Sequence, residues 1–185
     1  MPTLMVFDQV TLDGYFASAD GDMSWAHKSD PEWNEFVAGN ASGGGRLVFG
    51  RVTYEMMVSY WPTPQAARDN PVVAKQMNAM PKIVFSKTLD KASWSNTTLI
   101  EDDPATAMRT LKKEPGENMV ILGSGSIVSQ LTQAGLVDEY QIIVNPLVLG
   151  KGKTLFATVK DRVGLKLTKT RAFQNGNVLL CYAPA

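Results

Sequence analysis

Short apolar runs, separated by longer stretches of mixed polarity, organise this chain. Residues 4–10, 47–49, 82–85, 97–100, 119–122 and 140–144 are segments rich in apolar and β-branched residues, too short for helices, and they read as strands. Between them, apolar positions recur at helical spacing. Ser29-Asp30-Pro31-Glu32 combines a capping residue, a first-turn proline and an acid, and Trp33, Phe36 and Val37 follow on one face. A second helix is expected from Thr53, and a loop with a moderate helix over 61–80. Asp103-Pro104 opens another helix carrying Ala107, Met108 and Leu111, and the last covers 126–134 with Ile127, Leu131 and Ala134 on one face, stopped by Gly135. Residues 165–173 and 177–182 flank Asn175-Gly176, the strongest short hairpin signal. Eight strands and about four helices therefore alternate, which predicts an α/β fold: helices on both faces of a mostly parallel sheet that ends in an antiparallel hairpin. The Asp/Gly/Ser-rich loop from Gly14 to Asp30 is too long for a plain connector, and such loops are often functional.

The length, 185 residues, suits one domain with a core that needs no staples. Lys plus Arg and Asp plus Glu number 18 each, so no overall field draws the chain to nucleic acid or an anionic membrane, and any anion site must be local. No apolar run approaches the roughly 20 residues of a membrane span, and no signal segment opens the chain, so a soluble, cytoplasmic protein is expected. The single cysteine, Cys181, lies in an apolar run and reads as a buried structural thiol. With one His (His27) and one Cys, no metal site is expected.

Two segments read as a strand running through a Gly-containing turn into a helix: residues 46–55 around Gly50-Arg51-Val52-Thr53, and 119–127 around Gly123-Ser124-Gly125-Ser126-Ile127. Unpaired backbone N–H groups at a helix start bind phosphate, so two such junctions suit a ligand with two phosphate-bearing ends. Arg51 and Lys87, the latter following Phe85-Ser86 at another strand end, add the positive charge that an extra phosphate requires, which points to NADP(H). Read singly, each junction is equally a tight turn. Thr53 is either a helix cap or a phosphate contact, and Asp30 either a cap or a catalytic acid. The third glycine of the dinucleotide fingerprint is replaced by Val128, and Gly152-Lys153-Thr154 lacks the first glycine of a P-loop, since Leu147 occupies that position.

The ordered motifs Gly50-Arg51-x-Thr53-Tyr54-Glu55, Lys82-Ile83-Val84-Phe85-Ser86 and Val120-Ile121-Leu122-Gly123-Ser124-Gly125 resemble the three-layer α/β/α dihydrofolate reductase-like fold. Leu12-Asp13-Gly14-Tyr15-Phe16-Ala17 and the segment from Asn145-Pro146 to Leu155-Phe156 resemble, more narrowly, the C-terminal reductase domain of the riboflavin-biosynthesis deaminase-reductases. The resemblance implies NADPH held across the carboxyl ends of the strands. Arg51 and Lys87 would face the 2′-phosphate, Gly50, Val52 and Thr53 would hold phosphate, and Ser86 would lie near the adenosine. Gly123, Ser124, Gly125, Ser126 and Ile127 would cradle the pyrophosphate, and Phe16 and Ala17 would border the nicotinamide. Met23, Trp25 and Asp30 fall at the spacing that dihydrofolate reductases use for a loop methionine, a pocket tryptophan and a substrate carboxylate. The expected protein is an NADPH-dependent reductase of a small heterocyclic or carbonyl substrate, with Asp30 catalytic and Asp13, Met23, Trp25, Tyr54 and Met57 lining the pocket. A non-catalytic nucleotide-binding sensor or carrier is the alternative. Homodimerisation through the late strands is the family-level expectation.

Overall fold

The computed structural model describes residues 1–27 and 30–185, so Ser29 of the expected helix-start signal lies outside the described residues. In chain order the elements are β1 (Leu4–Thr11), β2 (Tyr15–Ala17), α1 (Pro31–Ser42), β3 (Arg46–Gly50), α2 (Arg51–Tyr60), α3 (Pro64–Asp69), α4 (Pro71–Ala79), β4 (Lys82–Phe85) and β5 (Thr97–Ile100). Then follow α5 (Pro104–Leu111), β6 (Met119–Leu122), α6 (Gly125–Gln133), β7 (Glu139–Asn145), β8 (Lys153–Thr154), β9 (Leu165–Ala172) and β10 (Val178–Pro184). Eight strands form one sheet in the order β5-β4-β3-β6-β1-β7-β10-β9. The six from β5 to β7 are parallel to their neighbours, and β10 runs antiparallel to both β7 and β9. This is the expected mixed sheet closing in a hairpin.

Period-two alternation sorts the side chains onto two faces. Leu4, Val6 and Val10 of β1 join Val48, Ile83 and Ile121 under α5 and α6, where Met108, Ile127, Val128 and Leu131 cover them. On the other face Leu47, Phe49 and Val84 meet Tyr54 of α2 and Val73 and Met77 of α4. That layer continues as Trp33 of α1 packed with Ile143, Phe173, Leu179 and Cys181. Trp33, Phe36 and Val37 thus form the apolar face expected of α1.

Three local expectations are corrected. Residues 61–80 hold two helices, because Thr63-Pro64 and Asn70-Pro71 each begin one, which raises the total among the described residues to six. The second helix starts at Arg51 rather than Thr53, with Gly50 as its N-cap. A separate two-stranded sheet joins β2 to β8, strands too short to register as apolar runs. No helix among the described residues is long and apolar enough to cross a membrane.

Candidate functional site

The two Gly-bearing junctions lie side by side. β3 and β6 are paired neighbours, and beyond their ends the Gly50 N–H donates to Ser124 Oγ at 2.7 Å, a buried bond that ties one turn to the other. Gly50 therefore does not offer the free amide expected of it; its contribution is the absence of a side chain. A Cβ there would lie 3.1 Å from Ile127 Cγ1. Gly123 and Ser124 take successive left-handed conformations, φ 59° and 65°, which cost little for glycine and more for serine. The bond from Gly50 offsets part of the strain at Ser124. Thr53, buried in the first turn of α2 and not a cap, packs against Gly123, where a Cβ would come within 3.2 Å of its Cγ2.

The helix starts differ in how they are finished. Side chains of Asp30, Thr63 and Asp103 cap α1, α3 and α5. Neither α2 nor α6 has a side-chain cap; nor has α4, which runs on from α3. Residues such as Arg51 and Val52 in α2, and Gly125 and Ser126 in α6, sit where backbone amides have no intrahelical acceptor, and the macrodipoles there favour an anion. Phe16 of β2 closes the α6 start from above: a Cβ on Gly125 would lie 2.9 Å from its Cε1 and 3.2 Å from the Thr154 carbonyl oxygen. Ala17 is buried beside it, its carbonyl packed on Gly152, where no side chain fits.

Positive charge flanks the pair of junctions. Gly50 is in register with Phe85, so Arg51 and Ser86-Lys87 emerge from neighbouring strand ends. Arg51 pairs with Glu55 at 2.9 Å, both side chains nearly half exposed, and this surface pair constrains the guanidinium only weakly. Val52 and Lys87 are exposed. Ser86 Oγ accepts from the N–H groups of Thr88 and Leu89 at 3.1 and 3.0 Å, so this hydroxyl shapes the turn that presents Lys87.

The residues expected around the substrate divide sharply. Tyr54 is a core residue instead: it is 1% exposed and its hydroxyl oxygen accepts from the Trp94 N–H at 2.8 Å. Met57 packs into the same cluster, with its sulfur accepting from Trp61 Nε1. Asp13 is a clasp. Its carboxylate accepts from Thr11 Oγ1 at 2.6 Å and from the N–H groups of Leu149 and Gly150, anchoring that loop, and these bonds, Thr11's foremost, hold its pKa down to about 2. Tyr54 and Met57, three residues apart, share one face of α2, and that face turns to the core rather than to the pocket.

Met23 precedes a single 3-10 turn, Ser24–Ala26, which carries the partly buried Trp25. The buried indole N–H of Trp25 finds no acceptor within the protein. Of the two alternatives for Asp30, the cap is present. One carboxylate oxygen accepts from the Trp33 N–H at 3.0 Å and caps α1, while the other, Oδ2, is buried with no protein partner.

Among the buried polar residues that escaped the sequence reading, four stand out. Asp8 of β1 is 4% exposed; one oxygen accepts from the Gln9 N–H, Oδ2 has no partner, and burial raises its pKa to about 7. Lys82 is 1% exposed, donates to the carbonyls of Asn78, Met80 and Ser95, and lies 4.4 Å from the Trp94 ring centroid. Asn145 and Asn177 are wholly buried. Each of the four is in phase with buried apolar residues two positions away, such as Val6, Val84, Ile143 and Leu179, and that phase was the available signal. Cys181 is buried as expected, and burial raises its pKa; His27 is exposed.

A family model described as the RibD C-terminal domain matches residues 2–179. Among curated proteins, the chain is 30% identical over 175 residues to YyaP, an uncharacterized protein of Bacillus subtilis (strain 168), covering 94% of this chain and 90% of that one. It is 27% identical to YwjB, another uncharacterized protein of the same organism, covering 91% of each. Among solved structures, a protein of Shewanella sp. PV-4 superposes with a TM-score of 0.75 at 20% identity over 99% of each chain. The diaminohydroxyphosphoribosylaminopyrimidine deaminase/5-amino-6-(5-phosphoribosylamino)uracil reductase of Thermotoga maritima superposes with a TM-score of 0.67 at 15% identity, over 100% of this chain and 57% of that one. At these identities the structures establish a shared fold.

Proposed function

Because the chain belongs to the RibD C-terminal domain family, we propose that it is an NADPH-dependent reductase acting on a small heterocyclic or carbonyl substrate, pterin-like or ribosylamino-pyrimidine-like. One observation carries this reading: the starts of α2 and α6 lie side by side without side-chain caps, locked by the bond from Gly50 to Ser124. At Gly50, Gly123 and Gly125 the missing side chains let Ile127, Thr53 and Phe16 pack directly on the two turns, which holds the helix starts together. Bound NADPH would supply a hydride from its nicotinamide C4.

The chain's own residues then bind and orient. The α6 start, from Gly123 through Ser126, receives the pyrophosphate, whereas Ile127, expected there too, packs in the core and donates its N–H to the Ser124 carbonyl; Arg51 and Lys87 meet the 2′-phosphate by charge-assisted bonds. Phe16 and Ala17 flank the nicotinamide. Asp30 keeps Oδ2 for the substrate while Oδ1 holds the helix start, which fixes its carboxyl plane. Met23 and Trp25 belong to the same side of the pocket. A homodimer is part of the proposal: partly buried Ile142, Val144, Leu180 and Tyr182 share one face of β7 and β10, an apolar surface suited to a second copy. Light scattering at micromolar concentration would give the dimer mass, and a monomer would remove this part.

The test is oxidation of NADPH, followed by its absorbance, with a panel including dihydrofolate and the ribosylamino-pyrimidine intermediate. At least one compound should drive oxidation. Tight NADPH binding with oxidation by none would favour a non-catalytic carrier.

A further inference from the structure

The carboxyl end of the sheet holds a second polar constellation, apart from the phosphate cradle and on the face that α1 covers. Ile143 of β7 and Leu179 of β10 are cross-strand partners, and both pack with Trp33 of α1. The register Val178↔Val144 continues one step to bring Asn177 opposite Asn145, on the same face as that pair. The helix α1 follows the loop after β1 and runs back toward the start of β3, so its N-terminus stands over the carboxyl end of the sheet. From Trp33 to Asp30 is about one turn, roughly 5 Å along the helix. From Ile143 to Asn145, or Leu179 to Asn177, is about 6.6 Å along the strand in the same direction. Asp30 at that N-terminus and the two asparagines therefore lie toward the same end of the sheet. The contacts of Glu32 with Arg171 and the Gln174 N–H pin the first turn of α1 to the β9–β10 turn beside them.

Within this group the hydrogen bonding is incomplete in a directed way. Asn145 and Asn177 are both 0% exposed. Asn145 Nδ2 donates to Gln9 Oε1 and to the Val10 carbonyl, each at 3.3 Å, which fixes the amide orientation and leaves Oδ1 without a donor. Asn177 makes no side-chain hydrogen bond within the protein through either Nδ2 or Oδ1, and Asp30 Oδ2 is likewise without a partner. A buried amide left unsatisfied is destabilising, and apolar residues would complete this core more favourably, as Leu179 and Ile143 do one step below. Buried groups left open in this way take a partner from outside the chain, an internal water or a ligand.

We propose that Asn177 and Asn145 are specificity-determining substrate residues, binding through their carboxamides an uncharged amide-type edge, an N–H beside a C=O, presented beneath Asp30. A primary carboxamide such as that of Asn177 offers a donor and an acceptor side by side, which is the complement of that edge. Asn145 Oδ1 and Asp30 Oδ2 add acceptors for a further N–H. A ligand lacking the N–H leaves these acceptors buried and unmatched, so discrimination against it is strong. The inference rests on the reductase reading and assigns the part of that site that selects the substrate.

The test uses uracil as the amide-edged probe and 1,3-dimethyluracil as the control, each titrated into the NADP⁺-loaded protein while the asparagine side-chain amide resonances are followed by NMR. Uracil should shift the Asn145 and Asn177 signals saturably and dimethyluracil should not. In Asn177→Leu, uracil binding should weaken at least tenfold, with NADPH affinity unchanged and the melting temperature equal to or above that of the native chain. Uracil that fails to bind a protein still able to bind NADPH overturns the proposal alone, as does binding that leaves both asparagine signals unmoved. Should Asn177→Leu not fold, the amide is structural and the proposal fails. Failure of the native chain to bind NADPH overturns the reductase reading and the proposal with it.

Discussion

Asp8 makes the fold's response to pH calculable. Its carboxyl lies in β1 in phase with Leu4, Val6 and Val10, with one oxygen bonded to the Gln9 N–H and the other unpartnered, and burial raises its pKa from 3.8 to about 7. Below about pH 4 the group is neutral in both folded and unfolded chains and costs nothing. As the pH rises from 4 to 7 the unfolded chain loses the proton while the folded chain keeps it, so stability falls; above 7 the loss is complete. A shift of about three units at 1.36 kcal/mol each corresponds to about 4 kcal/mol. Asp8→Asn keeps the shape and the Gln9 bond but cannot ionise. Thermal unfolding of both proteins across pH 4 to 8.5, followed by circular dichroism, isolates the effect because all other titrations cancel in the difference. The variant should lie within about 1 kcal/mol of the native chain at pH 4 and gain steadily above it, opening a gap of about 10 °C by pH 8 at 2–4 °C per kcal/mol for a chain of this size. A gap constant with pH, or one that narrows as pH rises, would refute the reasoning.

Other residues give sharper local tests. Tyr54→Phe strands the buried Trp94 N–H that donates to the hydroxyl at 2.8 Å; stability should drop by about 1–3 kcal/mol in urea denaturation with NADPH affinity unchanged, and a loss of substrate binding without loss of stability would restore Tyr54 to the pocket. Gly125→Ala forces a Cβ to 2.9 Å from the Phe16 ring, so it should cost about 1–3 kcal/mol and weaken NADPH binding, with partial recovery in the double variant carrying Phe16→Leu. Burial lowers the Lys82 pKa to about 8, so the unfolded chain binds the extra proton between pH 8 and 10.5 and stability should climb across that interval relative to Lys82→Met; parallel curves for the two proteins would rule this out.

Strand positions and the parallel-then-antiparallel plan were legible in the sequence because apolar runs bounded by Gly and Pro leave few alternatives to strand. The junctions at Gly50 and Gly123 were legible for the same reason, together with their partnership in one region. What escaped was the use of each side chain once packed. Thr53 read as a cap or a phosphate contact because it is a Thr near a helix start, yet the helix begins two residues earlier and the threonine fills the space over Gly123. Asp13 was expected to line the pocket, while its carboxylate clasps residues more than 130 positions away in sequence, at Leu149 and Gly150. Tyr54 and Met57 could not be assigned to pocket or core without knowing which way α2 faces. Asn145 and Asn177 carried a signal in their phase with Ile143 and Leu179, but their pairing needs the register of β7 and β10, which a hairpin turn sets only locally.

Calorimetric titration with NADPH and NADH, for the native chain and for Arg51→Ala, tests most directly the claim that the joined helix starts hold a phosphorylated dinucleotide. The account predicts that the native chain prefers NADPH, and that Arg51→Ala loses about 1–3 kcal/mol toward NADPH while its affinity for NADH is unchanged. Equal affinity of the native chain for the two cofactors, or an Arg51→Ala variant indistinguishable from it, would contradict the account.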